Sequence, residues 1–250
     1  AGDLTIASPM TGAGGITKSG TGSLIFDGAQ NYSGATVVAA GKLQLTATAS
    51  LPNSPQIKIL SGATLDVATL PSDWNIANNQ TLSGSGVVLG NVAAASGANV
   101  SPGDSAAGTL SLSNNFVLNS GAILNFDLSN SDAVGGGTND LLVVGGDLSL
   151  SNAITLNLNF LNNFPASPGS YTLIRYDGAF YGDATNITVA NLSTRFVFAI
   201  DTSVPGEIRL TVSGAPESLV WQGDASLNQW DLSNSNWRLA GSPVFFAHLD

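Results

Sequence analysis

One phrase returns every 19–23 residues along this chain: a small residue, a glycine, then an apolar residue alternating with polar ones. It occurs as Thr21-Gly22-Ser23-Leu24, Ala40-Gly41-Lys42-Leu43, Ser61-Gly62-Ala63-Thr64-Leu65, Ser85-Gly86-Val87 and Ala107-Gly108-Thr109-Leu110. A second series places Val100, Leu124 and Leu148 at intervals of 24. Alternation at period two reads as strands with one buried face. Recurrence at such a period marks stacked coils, not a two-sheet sandwich. A leucine-rich repeat has a similar period, but its Leu/Asn spacing is missing here. The pattern therefore predicts an all-β fold, a parallel β-helix, with Leu24, Leu43, Leu65, Val87 and Leu110 on one inward ladder. About ten coils at ~4.8 Å per rung give a rod roughly 50 Å long.

The second half is less regular. Residues 195–200 and 207–212 read as a hairpin-like pair around Pro205-Gly206, a longer-stranded end to the solenoid. Three of the four tryptophans, Trp221, Trp230 and Trp237, follow it. We divide the chain into a β-helix at 1–214 and a Trp-rich C-terminal linker or junction segment at 215–250. Neither end shows the polar cap that terminal coils usually carry.

Composition excludes several functions. Only 10% of residues are charged, and 17 acidic against 7 basic residues give a net charge of −10. With no basic stripe to neutralise phosphates, the chain is not built to bind nucleic acid. No run of 18 apolar residues offers a membrane helix, so no membrane insertion is expected. Cysteine is absent, and the single histidine, His248, lies near the end, which leaves little for acid–base chemistry near neutral pH.

Three features invite chemistry and each has a plainer reading. Gly135-Gly136-Gly137-Thr138-Asn139-Asp140 approaches a calcium β-roll phrase, but Thr138 replaces a required glycine and no tandem copy follows. One aspartate cannot supply the six to eight oxygens calcium takes, so a turn leading into a strand is expected. Asp127 and Asp147 are 20 residues apart and could stack as a carboxylate pair, against the reading of solvated corner residues. The tryptophans, if exposed, offer stacking platforms for sugars; buried, they form a packed contact. No catalytic residue, cofactor or metal site is assigned.

Residues 14–43, from Gly14-Gly15-Ile16-Thr17-Lys18 through Gly20-Thr21-Gly22, Asn31-Tyr32-Ser33-Gly34 and Gly41-Lys42-Leu43, resemble the autotransporter passenger-associated β-strand repeat. Phe26 stands where that pattern has leucine, and Asn31 and Tyr32 are adjacent where it separates them. Trp221-x-Gly223, Trp230-Asp231 and Asn236-Trp237 are similar to a linker between such repeats in long surface proteins of the Verrucomicrobia and Planctomycetes type. The resemblance implies a right-handed parallel β-helix, secreted or on the bacterial surface, with no catalytic residues. The expected function is a structural module of an extracellular protein or fibre that assembles head-to-tail with copies of itself through its β-helix ends. The expected contact residues are Trp221, Trp230, Trp237, Val244, Phe245 and Phe246. The alternative is an adhesin-type module that binds glycans through exposed aromatics.

Overall fold

In a computed structural model, residues 2–103, 105–161, 169–190, 196–214, 218–223 and 235–246 are described. Each coil of the chain visits the faces of a parallel β-helix in turn. The first face holds eight parallel strands in chain order: Leu4–Ile6, Ser23–Phe26, Lys42–Leu45, Thr64–Asp66, Val87–Leu89, Thr109–Leu112, Leu141–Val144 and Gly169–Tyr176. The second runs from Ile16–Lys18 to Ile187–Val189, also as eight parallel strands. The third is a five-stranded parallel sheet, Trp74–Ile76, Val92–Ala94, Phe116–Leu118, Leu148–Leu150 and Phe180–Tyr181. In the first two coils this face is reduced to the pair Thr11–Gly12 and Asn31–Tyr32. Among the described residues the only helical turn is a short 3-10 turn at Ala184–Asn186.

Residues on the inner faces stack in register. Leu24, Leu43, Leu65, Val88, Leu112 and Val144 form one ladder, each paired with the next. All six are buried, and the core is the sum of such ladders from three faces. The position expected for Val87 belongs to Val88; Val87 is half-buried and pairs with Thr64 and Ser111 on the outer side. Val87-Val88-Leu89 is a run of three apolar residues, which carries no phase of its own. Gly86 sets the phase by turning inward, where a Cβ would lie 2.3 Å from Ile59 Cγ2. Leu110 is buried as expected but stands one row away, stacked on Leu142.

The coil count also differs from the expected ten. Eight rungs stack, a rise of roughly 34 Å at ~4.8 Å per step. Later coils are longer: Leu112, Val144 and Tyr176 follow one another at intervals of 32 residues. The loop 129–140 causes the first of these extensions, and it shifts the second series. Leu156 stacks on Leu124, whereas Leu148 joins the third face over Phe116.

At its C-terminal end the first face is closed by an antiparallel pair. Glu207–Ser213 adds antiparallel to Gly169–Tyr176, and Val197–Asp201 pairs antiparallel outside it. This is the expected hairpin. Phe196, Ile208, Leu210 and Val212 are buried in it, and Phe198 stacks on Phe160 with ring centroids 6.1 Å apart. A parallel coil added here would have to displace the hairpin. Beyond it, Val220–Trp221, Trp237–Leu239 and Ser242–Val244 form a separate three-stranded antiparallel sheet.

Candidate functional site

The polar residues of the repeat segment turn inward, to the scaffold. Lys18 is buried at the end of its strand, and its ammonium donates to Ser19 O at 3.2 Å, Gly20 O at 2.8 Å and Ala40 O at 2.9 Å. Three carbonyl dipoles thus solvate a cation at the corner joining two coils. The space is closed on the far side by Gly41 at φ +66°, where a Cβ would meet Gly20 O at 2.5 Å and Lys18 Nζ at 2.9 Å. Tyr32 is buried too, its hydroxyl 2.6 Å from Thr36 Oγ1, which lies 2.9 Å from Ser54 Oγ. Burial pushes the Tyr32 phenol upward from its ordinary pKa. Gln30 accepts from Met10 N and donates to Gly28 O, binding the first coil to the second.

Removing the Lys18 ammonium leaves three corner carbonyls without their donor. Lys18→Met is expected to cost about 2–3 kcal/mol, the range for charged hydrogen bonds and unsatisfied buried acceptors. Gly41→Ala, which invades the same space, should be less than additive with it. Urea titration of the two single variants and the double checks this; a Lys18→Met cost under about 0.5 kcal/mol would show that water replaces the ammonium freely.

Asn139 and Asp140 clasp the base of the 129–140 loop. Asn139 accepts from Ser129 N at 2.6 Å and donates to Ser131 O and Ala133 O, both at 2.7 Å. Asp140 is 1% exposed and accepts from Gly108 N at 2.8 Å and Asp127 N at 2.7 Å. Desolvation pushes its carboxyl up to about 7, although these backbone donors favour the ion. Both carboxylate oxygens are thus engaged by backbone, and the turn leads into the strand Leu141–Val144. Among the described residues no three His, Asp or Glu side chains converge as a metal site.

The Asp127–Asp147 pair does not form. Asp127 stacks on Asn159, whose amide donates to it at 2.8 Å, while Asp147 sits at a corner and accepts from Ala179 N. The 20-residue spacing misled because the coil between Asp127 and its stacking partner is 32 residues long.

The aromatic residues of the last sheet come together in part. Trp221 pairs across strands with Trp237, their rings edge to face at 5.2 Å, and Trp237 pairs with Val244 and packs on Phe246 at 5.4 Å. Trp221 is 39% exposed and Phe245 48%. Trp230 and His248 lie outside the described residues.

One concave feature was not foreseen. In the third coil, residues 46–55 turn instead of forming a strand, so the five-stranded third sheet begins in mid-molecule at Trp74–Ile76. A groove of about 280 Å³ lies against this edge, with Trp74, Pro52, Leu70 and Pro71 among its walls. A second basin of about 220 Å³ lies beyond the segment 70–73, beside Asn91 and Asn114. The interrupted alternation at 46–55, with Pro52 and Pro55, is the sequence signal for it.

Scaffold corners built from the repeat's own polar residues, inward ladders that run the length of two faces and an antiparallel hairpin at the end of the first define a parallel β-helical rod. Residues 16–45 match the passenger-associated-transport-repeat family. Over 244 residues, 95% of its length, the chain is 35% identical to the adhesin BmaC autotransporter of Brucella suis biovar 1 (strain 1330), and it spans 6% of that protein's length. Both matches support an autotransporter passenger repeat, a class found outside the bacterial cell or on its surface. No helix among the described residues is long and apolar enough to cross a membrane.

Proposed function

We propose that this chain is a rigid, non-enzymatic rod segment of an extracellular surface adhesin, and that residues 215–250 are its junction element. The observation that carries the reading is the concentration of exposed apolar surface after the cap. Val220, Trp221 and Phe245 are 66%, 39% and 48% exposed. Three short strands bury little by themselves, and such a patch marks an interaction site. With the hairpin over the last coil, contact to a following repeat or a second copy runs through this sheet instead of through the β-helix end. One sheet docking on a different surface of the next unit is a heterologous contact, which propagates as a filament.

The test is deletion of residues 221–250, with light scattering and electron microscopy of both proteins. The full chain is expected to form concentration-dependent linear assemblies that the truncated chain does not. Equal assembly of the two, or a full chain that stays monomeric at high concentration, overturns the junction reading and leaves the segment as an intramolecular cap.

Glycan binding through the exposed aromatics is less well supported. Trp221 and Trp237 pack edge to face on each other, which takes up the ring surface a sugar would stack on.

A further inference from the structure

The groove beside Trp74 has the makings of a binding site that the rod architecture does not require. In a continuous β-helix each coil pairs with the next on every face. Here Gln80 replaces a strand: its amide donates to Leu51 O at 2.7 Å and Ser54 O at 2.9 Å, and its Oε1 accepts from Ala77 N at 2.9 Å. The two coils are held together at that point while the face beside it is left open. Trp74 N–H donates to Asn91 O and Ile76 O accepts from Ala95 N, so both residues turn their backbone groups to the neighbouring strand. Those of Asn75 between them therefore turn to the groove, and Asn75 is exposed.

The lining selects a chemical class. Apolar walls from Pro52, Leu70 and Pro71 suit the C–H faces of a ring, with the buried Trp74 beneath them. Hydrogen-bonding groups stand at the rim: the Asn75 side chain and backbone, and Asp73. Beyond the 70–73 segment the surface turns polar around Asn91 and Asn114. Few polar groups over apolar walls are what a small-molecule site needs. Among the described residues Asp73 is the one charged residue lining either basin, in a chain of net charge −10. An anionic ligand would meet a carboxylate and no cation.

We propose that this groove binds a neutral saccharide, one or two pyranose rings of a glycan. The proposal rests on the adhesin reading and gives that reading its ligand class and site. It places the sugar between Pro52, Pro71 and Asn75, away from the exposed aromatic sheet.

The experiment uses the full chain with chitotriose, mannotriose and lactose as neutral probes and heparin-derived oligosaccharides as anionic ones, read by saturation-transfer NMR and calorimetry. At least one neutral probe is expected to bind at millimolar concentration or below, and the anionic probes not to. Asn75→Ala and Asp73→Ala should each weaken binding about tenfold, the worth of one good hydrogen bond. Ser72→Trp, an exposed position beside the groove, should abolish it by filling the space. Asn157→Ala, on another face, should change nothing. Ser72, Asp73 and Asn75 are exposed and Asn157 is half-buried, and melting temperatures of all four variants report whether the fold is intact. The proposal is overturned if no neutral probe binds, if the anionic probes bind tighter, or if the groove variants bind as the parent does. Beads coated with the parent and variant chains, scored for attachment to glycan-bearing cells, separate the two readings. Attachment unchanged by the groove variants sinks the site and spares the adhesin; no attachment by any chain sinks the adhesin reading itself.

Discussion

Phe116→Ala is expected to lower the unfolding free energy by about 3–5 kcal/mol. Phe116 is fully buried in the third face, stacked between Val92 above and Leu148 below. Its neighbours are fixed at strand spacing by hydrogen-bonded ladders, so the surrounding coils cannot collapse into the space the ring leaves. The cost is then the full transfer energy plus that of the cavity. The same reasoning gives about 2–5 kcal/mol for Leu43→Ala, Leu65→Ala and Leu110→Ala, all three being fully buried. Val87→Ala is the contrasting case. Its side chain lies on the outer, half-buried row, and under about 1 kcal/mol is expected. Urea denaturation, with midpoint and slope compared across the series, checks these values. A Val87 variant as damaging as the Leu65 one would mean that the first face runs in the other phase.

Stability should fall as pH rises from about 4 to about 7, and Asp140 should be responsible for most of that slope. Its carboxyl titrates near 3.8 in an unfolded chain and is pushed up to about 7 in the fold. Between those values the native state holds a proton that the unfolded state has released, so raising the pH favours unfolding. The difference amounts to at most about 4 kcal/mol, present in full below pH 4 and gone above pH 7. The groups facing the carboxyl are the backbone amides of Gly108 and Asp127, which favour the ion, and the Asp127 side chain, whose charge opposes it. Asp3, Asp183 and Asp201 are held below the usual range by hydrogen bonds from Ser23, Thr185 and Ser203. They act with the opposite sign: their stabilisation is lost as pH falls below about 4, outside the Asp140 window. Melting temperatures of the parent and Asp140→Asn from pH 4 to pH 8 decide the point. A parent curve that declines while the variant stays nearly flat is expected. Parallel curves would assign the slope to general acidic repulsion, since the chain carries a net charge of −10.

The candidate sites were legible to unequal degrees. Trp221, Trp237 and Val244, expected as contact residues between copies, meet one another on one sheet within the chain, because large apolar side chains in short alternating runs find a partner there. Lys18 could be seen as part of a repeat but not as the centre of a carbonyl nest, since its acceptors come from residues 19, 20 and 40 and only coil stacking brings them together. Asp140 was legible as a turn residue; that its carboxyl is enclosed follows from a contact 32 residues back, to Gly108. The groove at Trp74 depends on a strand that does not form, and period-two reasoning looks only for strands that do.

The sequence by itself determined the fold class, because alternation repeated at coil length buries its apolar residues only when coils stack. It also determined the closing hairpin, whose two runs flank Pro205-Gly206. Tertiary structure alone decided the register. A parallel ladder gains nearly the same hydrogen bonds wherever a coil is lengthened at its corner, so the loop 129–140 could be absorbed without disturbing any strand. That insertion moved Leu148 to another face and separated Asp127 from Asp147. Side-chain alternation fixes which residues of a strand face inward, apart from runs such as Val87-Val88-Leu89. Which residue of the preceding coil lies beneath them is fixed by the path of the corners, where close contacts such as those around Gly86 and Gly41 leave one fit.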